Sequence, residues 1–284
     1  MFPNQDGVGQ RTKDGLRTRD GLRTRDGPST KDQGPRTPRS PTNRVRSAPV
    51  LALFLAAALL QDVTCRGDAA RHLTEAARLG ETFDLTGAAA EYDAAARAGC
   101  ASGAAAATYV RGLIAARQAD AQFGSAASLE PLKQAISSIE SQAVQHPLAR
   151  AMTAVLRAAI PAAQHEQPEM ALRIEEMLRH ESLQLEAKQA ALPVLSAHEA
   201  AGYFWLQLHL YVEAGRAFDA AAQAVGRTPY VLLGHARTAA GRQDPAACEH
   251  YRRLISWWGS RPESPPEMTE ARDYVKRPQC TPRP

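Results

Sequence analysis

Only two Leu-Gly dipeptides occur in this chain, Leu79-Gly80 and Leu233-Gly234, and each is followed seven residues later by another glycine, Gly87 and Gly241. Phe83 stands between the first pair of glycines, and Tyr230 precedes Leu233 by about one helical turn. A small residue on a helix face leaves room for a neighbouring helix to lie close. The later glycine predicts that the first helix closes in a left-handed cap. The surroundings favour helices. Alanine is abundant, aromatic residues make up 6% of the chain, and no run of β-branched residues alternates with polar ones. The fold class predicted is therefore all-α, with close packing through small side chains.

The helical period divides the body into antiparallel pairs. Helices are predicted over 68–82 and 87–98, with Leu73, Ala76, Leu79 and Phe83 on one face. A second pair spans 103–120 and 128–145, where Tyr109, Leu113 and Ala116, then Leu129, Leu132, Ile136 and Ile139, keep the spacing. A third covers 148–163 and 167–184. Residues 186–195 are ambiguous because Pro193 interrupts them. The fourth pair is 197–214 and 216–226, the fifth 229–241 and 245–257. Thr228-Pro229 and Asp244-Pro245 each place a capping side chain before a proline in a first turn. A last polar helix over 265–276 begins with Ser264-Pro265-Pro266-Glu267, which fits a capping box. Trp257 and Trp258 are predicted to pack beneath it.

An aromatic, a Leu-Gly pair, a second aromatic and a helix break, set in two antiparallel helices, resemble the tetratricopeptide repeat. Leu79, Gly80, Phe83 and Gly87 carry the resemblance in one copy. Tyr230, Leu233, Gly234, Gly241 and Ala246 carry it in another, and Tyr211 and Gly215 repeat the spacing of Phe83 and Gly87. The likeness covers about 70–98 and 200–257 and fades over 130–195, and Gly215 lies only 26 residues before Gly241, short of the usual period near 34. It implies an α-solenoid of helix pairs over 67–284 with a C-terminal capping helix. The first helices of such a stack line a concave groove that binds a protein or peptide. The residue after each Leu-Gly pair would face that groove, which places Glu81 and His235 there. The Tyr211 spacing adds Trp205, His209 and Glu213, with His209 and His235 as neighbours. The alternatives are an irregular Ala-rich bundle and, for Trp205, a place in the core beside Phe204 or Leu208.

The formal charge of +4 belongs to the N-terminal segment. Residues 1–47 hold eleven Lys or Arg against five Asp, which leaves 23 basic and 25 acidic residues in 48–284. A body without basic excess argues against nucleic-acid binding. Residues 11–27 repeat a six-residue unit and lead into a tract rich in Pro, Ser and Thr, with too little apolar surface to fold. Residues 1–47 read as a disordered tail, or as sequence upstream of a later start. From Ala48 to Leu60 come thirteen apolar residues, preceded by Arg44 and Arg46. Over 48–66 this reads as a secretory signal peptide, too short to span a bilayer; a buried core helix is the other reading. The expected location is periplasmic or secreted in a bacterial envelope, with no membrane span after cleavage. A lipid anchor at Cys65 is disfavoured because Asp62 stands where a branched apolar residue is wanted.

Four cysteines, Cys65, Cys100, Cys248 and Cys280, suit an exported protein. Cys65 precedes the first helix and Cys100 follows its partner, so both lie at one end of a hairpin. Cys248 begins a helix, and Cys280 follows a cap that runs back toward it. Both pairs are placed to bridge, and free buried thiols are the alternative. A cut after Cys65 or Gly67 would remove half of the first pair.

No Cys-x-x-Cys occurs, and none of His165-Glu166, His180-Glu181 and His198-Glu199 extends to a zinc-binding spacing, so these read as solvated helix faces and no metal is expected. Nucleophile elbows, phosphate loops and dinucleotide fingerprints are absent. Glu175, Glu176 and His180 offer acid–base groups that helix charge pairs explain equally well. The sequence thus implies a cofactor-free binding scaffold rather than an enzyme, for a partner it does not name. An envelope enzyme or enzyme accessory, or a purely structural module, are the competing readings.

Overall fold

Helix starts and ends follow from side chains that satisfy the free backbone groups. The computed structural model describes residues 65–142, 148–187, 192–262 and 264–280. The predicted tail and the apolar stretch over 48–60 lie outside them. Eleven α-helices occur among the described residues. They are α1 (Asp68–Glu81), α2 (Leu85–Arg97), α3 (Ala101–Asp120), α4 (Ala126–Ser141), α5 (Ala149–Ala163), α6 (Gln167–Glu186), α7 (Ala197–Gln207), α8 (Tyr211–Ala224), α9 (Pro229–Gly241), α10 (Ala246–Trp258) and α11 (Pro266–Val275), followed by a 3₁₀ turn, Pro278–Cys280. Asp84 accepts the Gly87 N–H to start α2, Ser125 that of Ser128 to start α4, and Thr228 that of Val231 to start α9. Ser196 and Glu199 form a full capping box at α7. The box expected at Ser264 and Glu267 does not form: Ser264 Oγ accepts from Arg272, and Glu267 faces Arg117 instead. The predicted helix over 197–214 also ends early, because the chain turns between Gln207 and Tyr211.

Consecutive helices pack as five hairpins, α1–α2, α3–α4, α5–α6, α7–α8 and α9–α10, and α11 covers α10. Odd-numbered helices also touch in succession, α3 with α5, α5 with α7 and α7 with α9. Each hairpin turn is built the same way. A residue in the left-handed region ends the first helix: Phe83 (φ 63°), Phe123 (51°), His165 (58°), His209 (56°) and Gln243 (57°). The next free N–H then reaches back five residues to a carbonyl: Asp84 to Leu79, Glu166 to Pro161, Leu210 to Trp205 and Asp244 to Ala239. In the second turn Gly124 (φ 58°) takes this role and reaches Ala119. This is the Schellman closure, and it satisfies carbonyls that a helix end leaves free.

That recurrence corrects the register read from the glycines. The left-handed residue is three positions past Gly80 and nine past Gly234, so the two Leu-Gly pairs occupy different places in their hairpins. Gly87 does not cap α1; it lies in the first turn of α2. Gly241 is the last residue of α9. Tyr211 opens α8, and His209 holds the place that Phe83 holds in the first hairpin. Ala246 is exposed, and Ala247 beside it is buried. Nor do Gly80 and Gly234 bring together the two helices of their own hairpins. A Cβ on Gly80 would meet the Val194 side chain at 2.8 Å. On Gly234 it would meet the Phe218 ring at 2.2 Å, and on Gly202 the same ring at 2.5 Å, so Phe218 of α8 is wedged between α7 and α9.

Two apolar clusters follow. One runs from α1 to α7 around Tyr92, Tyr109, Leu132 and Leu156. The other joins α9, α10 and α11 around Tyr251, Leu254, Trp258 and Met268, and it includes Phe83 from the first turn. Phe83 meets Tyr230 edge-on at 4.9 Å and stacks with Trp258 at 6.3 Å. The Tyr230 hydroxyl donates to the Gly80 carbonyl at 2.9 Å. The first hairpin therefore rests on the fifth, 150 residues away in sequence. Disulfides join Cys65 to Cys100 and Cys248 to Cys280. Cys65 belongs to the folded body, where its sulfur is bonded to that of Cys100.

Candidate cleft on the odd-numbered helices

Side chains on one side of the odd-numbered helices converge on a cleft of about 580 Å³. From α3 come Leu113, Ala116, Arg117 and Asp120. From α7 come Tyr203, Phe204, Leu206 and Gln207. Tyr230 and Arg237 of α9 and Glu267 of α11 face them, and Leu85, Val194 and Leu195 complete the apolar wall. Three successive hairpin turns supply the mouth through their left-handed residues, Phe123, His165 and His209.

The polar wall groups are mostly paired within the protein. Burial opposes the Arg237 charge, yet a two-point contact with Glu270 (2.6–3.2 Å) holds its pKa above the ordinary value. Burial likewise works to raise the Glu270 carboxyl, and the hydrogen bond from Arg237 overcomes it and leaves the pKa low. Tyr251 donates to the same carboxylate at 2.7 Å. Arg117 Nη1 lies 3.4 Å from Glu267, which links α3 to α11 across the cleft. His165 lies 3.6 Å from Asp120, and His209 Nδ1 lies 3.1 Å from the Tyr211 hydroxyl. Burial pushes the Tyr203 and Tyr230 hydroxyls well above the usual phenol value, so both stay neutral donors; Tyr203 gives its hydrogen bond to the Tyr230 carbonyl at 2.8 Å. Gln207 Oε1 is the exception. It is buried and has no hydrogen-bond partner among the described residues.

Of the five residues predicted to line the groove, only His209 does so. Trp205 is half-buried and packs against the first core cluster with Leu208, so its side chain serves the core. His235 is not a neighbour of His209. It stacks on His250 with ring centres 5.6 Å apart and lies 3.8 Å from Asp219, among α8, α9 and α10. Glu213 is half-exposed in the first turn of α8. Glu81 borders a separate pocket of about 80 Å³ beside Trp257 and Glu199, and burial raises its pKa against the pull of Arg261. The repeat register explains these misses: an offset in the turn rotates each inferred position around its helix.

The His-Glu dipeptides are not all solvated either. Glu181 is buried and accepts the N–H groups of Ala197 and His198 at 2.9 and 3.3 Å, along with His198 Nδ1 at 2.6 Å. It caps α7 from α6. Glu199 is buried too, with its pKa raised by burial, and it accepts from the Ser196 N–H and the Thr228 hydroxyl. Glu175 is exposed and Glu176 is paired with Arg173 at 3.0 Å, while Glu176 and His180 border a separate cavity of about 390 Å³ with Glu140, Arg150 and Arg157. Trp258 is buried beneath α11 as expected, while Trp257 lies half-buried under the Arg261 guanidinium at 4.5 Å. Sequence reading missed Arg117, Phe123, His165, Gln207, Arg237 and Glu267. The Phe123-Gly124 turn was findable from its glycine; the meeting of Arg117 with Glu267 leaves no local signal.

Among the described residues no group of three His, Cys, Asp or Glu side chains is placed to hold a metal ion, and no helix is long and apolar enough to cross a membrane. No family model matches the chain, and no curated protein or solved structure shows significant similarity to it.

Proposed function

We propose that this chain is an exported helical-repeat module of tetratricopeptide-like kind that holds a peptide or a segment of another protein in the odd-helix cleft. The observation that carries this reading is the convergence of four odd-numbered helices and three turn residues on one cavity. Its volume falls in the roughly 300–1,000 Å³ range of ligand sites, and it is walled mainly by apolar groups with a few polar ones. Five hairpins closed by the same turn support the repeat reading. The turn residues advance by 40, 42, 44 and 34 positions, so the units are unequal in length and the sequence period is blurred. Export is supported by the two disulfides, one joining the ends of the first hairpin and the other joining the start of α10 to the turn after α11, which would persist in an oxidising compartment. On this reading a signal cut falls before Cys65.

The test is retention of a partner from envelope extracts by the full chain and by a Leu206→Glu variant of unchanged melting temperature. Leu206 is half-exposed in the cleft wall. The wild type should retain a partner that the variant loses. Equal retention by both, or turnover of a small substrate that Leu206→Glu abolishes, would replace the binding reading with another.

A further inference from the structure

We infer that the cleft takes a peptide segment bearing an arginine, with the guanidinium held at the mouth by Asp120 and the Phe123 ring. This names the ligand class for the proposed peptide-binding role and rests on it. The wall charges come in pairs, with one exception. Arg117 faces Glu267 at 3.4 Å, and Arg237 is held by Glu270 at 2.6 Å, so both cations are matched inside the protein. Asp120 is not. Its ion-pair contact among the described residues is with His165 at 3.6 Å, longer than a hydrogen bond, and an imidazole carries charge only when protonated. The mouth therefore presents one carboxylate without a permanent counter-charge, and that side chain is 32% exposed.

Backbone dipoles act in the same sense. Helices α3, α5 and α7 end at Asp120, Ala163 and Gln207, and the turn residues that follow them, Phe123, His165 and His209, all line the mouth. Three helix C-termini thus converge on one opening. Each acts as roughly half a negative charge, which favours a cation there and repels an anion. Asp120 stands at the last position of α3, where an acidic side chain opposes the dipole. A bound cation offsets that cost.

The rings supply the other half of the site. Phe123 is 79% exposed, and its ring centre lies 5.9 Å from that of His165. An exposed aromatic face attracts a cation, and a planar guanidinium both stacks on it and meets a carboxylate with two donors. An ammonium offers only a point charge, so arginine is favoured over lysine. Leu113, Leu195 and Leu206 in the remaining wall suit apolar neighbours of that arginine. An acidic side chain meets the opposite situation, since Arg117 and Arg237 would have to leave their own carboxylates to receive it.

The experiment uses the full chain and pools of N-acetylated, C-amidated hexapeptides, measured by calorimetry. One position is fixed as Arg, Lys, citrulline or Glu, and the others are drawn from Ala, Leu, Phe, Pro, Ser and Gln. Citrulline keeps the shape of arginine without its charge. The Arg pool should bind tightest, about five- to tenfold tighter than the citrulline pool, and its Kd should rise about threefold between 50 and 500 mM NaCl. Asp120→Asn should abolish the difference between Arg and citrulline and should melt no lower than the wild type, since it removes a charge that opposes the helix dipole. Phe123→Ala should weaken binding of the Arg pool about threefold. Lys, citrulline or Glu bound as tightly as Arg, or an Arg preference that survives in Asp120→Asn, would overturn the inference while leaving peptide binding intact. Failure of every pool would overturn both. Self-association that Asp120→Asn abolishes would make an arginine of a second copy the occupant and overturn the inference as well.

Discussion

Replacing Gly234 with alanine places a methyl group 2.2 Å from Cε1 of Phe218, more than 1 Å inside ordinary contact. The ring has little room to yield. On its other side a Cβ at Gly202 would approach the same atom at 2.5 Å, and Phe218 itself is fully buried. Overpacking of this kind costs roughly 1–3 kcal/mol, and the trapped ring puts Gly234→Ala in the upper part of that range. Against it stands the helix preference of alanine over glycine, about 0.8–1.0 kcal/mol. The net expectation is destabilisation by about 1–2 kcal/mol, or roughly 3–6 °C in melting temperature for a body of this size. The control is Gly215→Ala in α8, where the nearest atom is the Thr238 methyl at 3.4 Å, an ordinary contact. There only the helix term acts, and stability should rise by up to about 1 kcal/mol. Urea denaturation followed by circular dichroism measures both. Gly234→Ala combined with Phe218→Leu should recover part of the loss, with a coupling of about 1 kcal/mol. If both alanine variants shift stability in the same direction, the wedge account of α7, α8 and α9 is wrong.

Tyr230→Phe removes the hydroxyl that joins α9 to the Gly80 carbonyl and should cost about 1–3 kcal/mol, with hydrogen exchange at the end of α1 rising more than elsewhere. Cys280→Ser opens a bridge between residues 32 positions apart and should cost about 3–4 kcal/mol in the chain-entropy model, and the gap in melting point between wild type and variant should shrink once reductant opens the bridges in both. Burial first, and then the charge of His250 on His235 and of Arg253 on His250, hold both pKa values below the ordinary imidazole value, with Asp219 opposing at each. Their contribution to stability is present above about pH 6.5, where the unfolded imidazoles are neutral, and is lost as pH falls below it and the unfolded chain takes up protons first. The urea midpoint should fall between pH 7 and 5.5, and His235→Gln with His250→Gln should flatten that slope. Glu81 and Glu199 act in the opposite sense, since their raised values favour the folded state as pH falls toward the ordinary carboxylate value, so the variant difference isolates the histidines.

Helix periodicity made the five pairs and the final helix legible, because apolar spacing and Ser, Thr, Asp and Pro at helix starts are local properties. Thr228 and Asp84 bind the backbone of their own first turns, and such contacts need no knowledge of the fold. The turns were harder to read. Glycine suggested where a left-handed residue should fall, yet Phe83, His165, His209 and Gln243 take that conformation because the Schellman bonds and the packing of both helices impose it. Misplacing the turn shifted the groove positions inferred from it, His209 excepted, and Trp205 and His235 do not line the cleft. Glu181 and Glu199 looked like solvated charges because their partners, the α7 N-terminus and Thr228, lie 16 to 29 residues away. The joining of Phe83 to Tyr230 and of Arg117 to Glu267 depends on how five hairpins add up, and no sequence window of helical length contains it.

Photo-crosslinking tests the cleft most directly. p-Benzoylphenylalanine in place of Phe123 at the cleft mouth, and in place of Leu172 on an exposed face of α6, gives two probes of similar exposure on one fold. Irradiation in envelope extract should attach a partner at position 123 and leave position 172 unlabelled. Equal labelling at both, or labelling at 172 alone, would contradict a ligand seated among the odd-numbered helices.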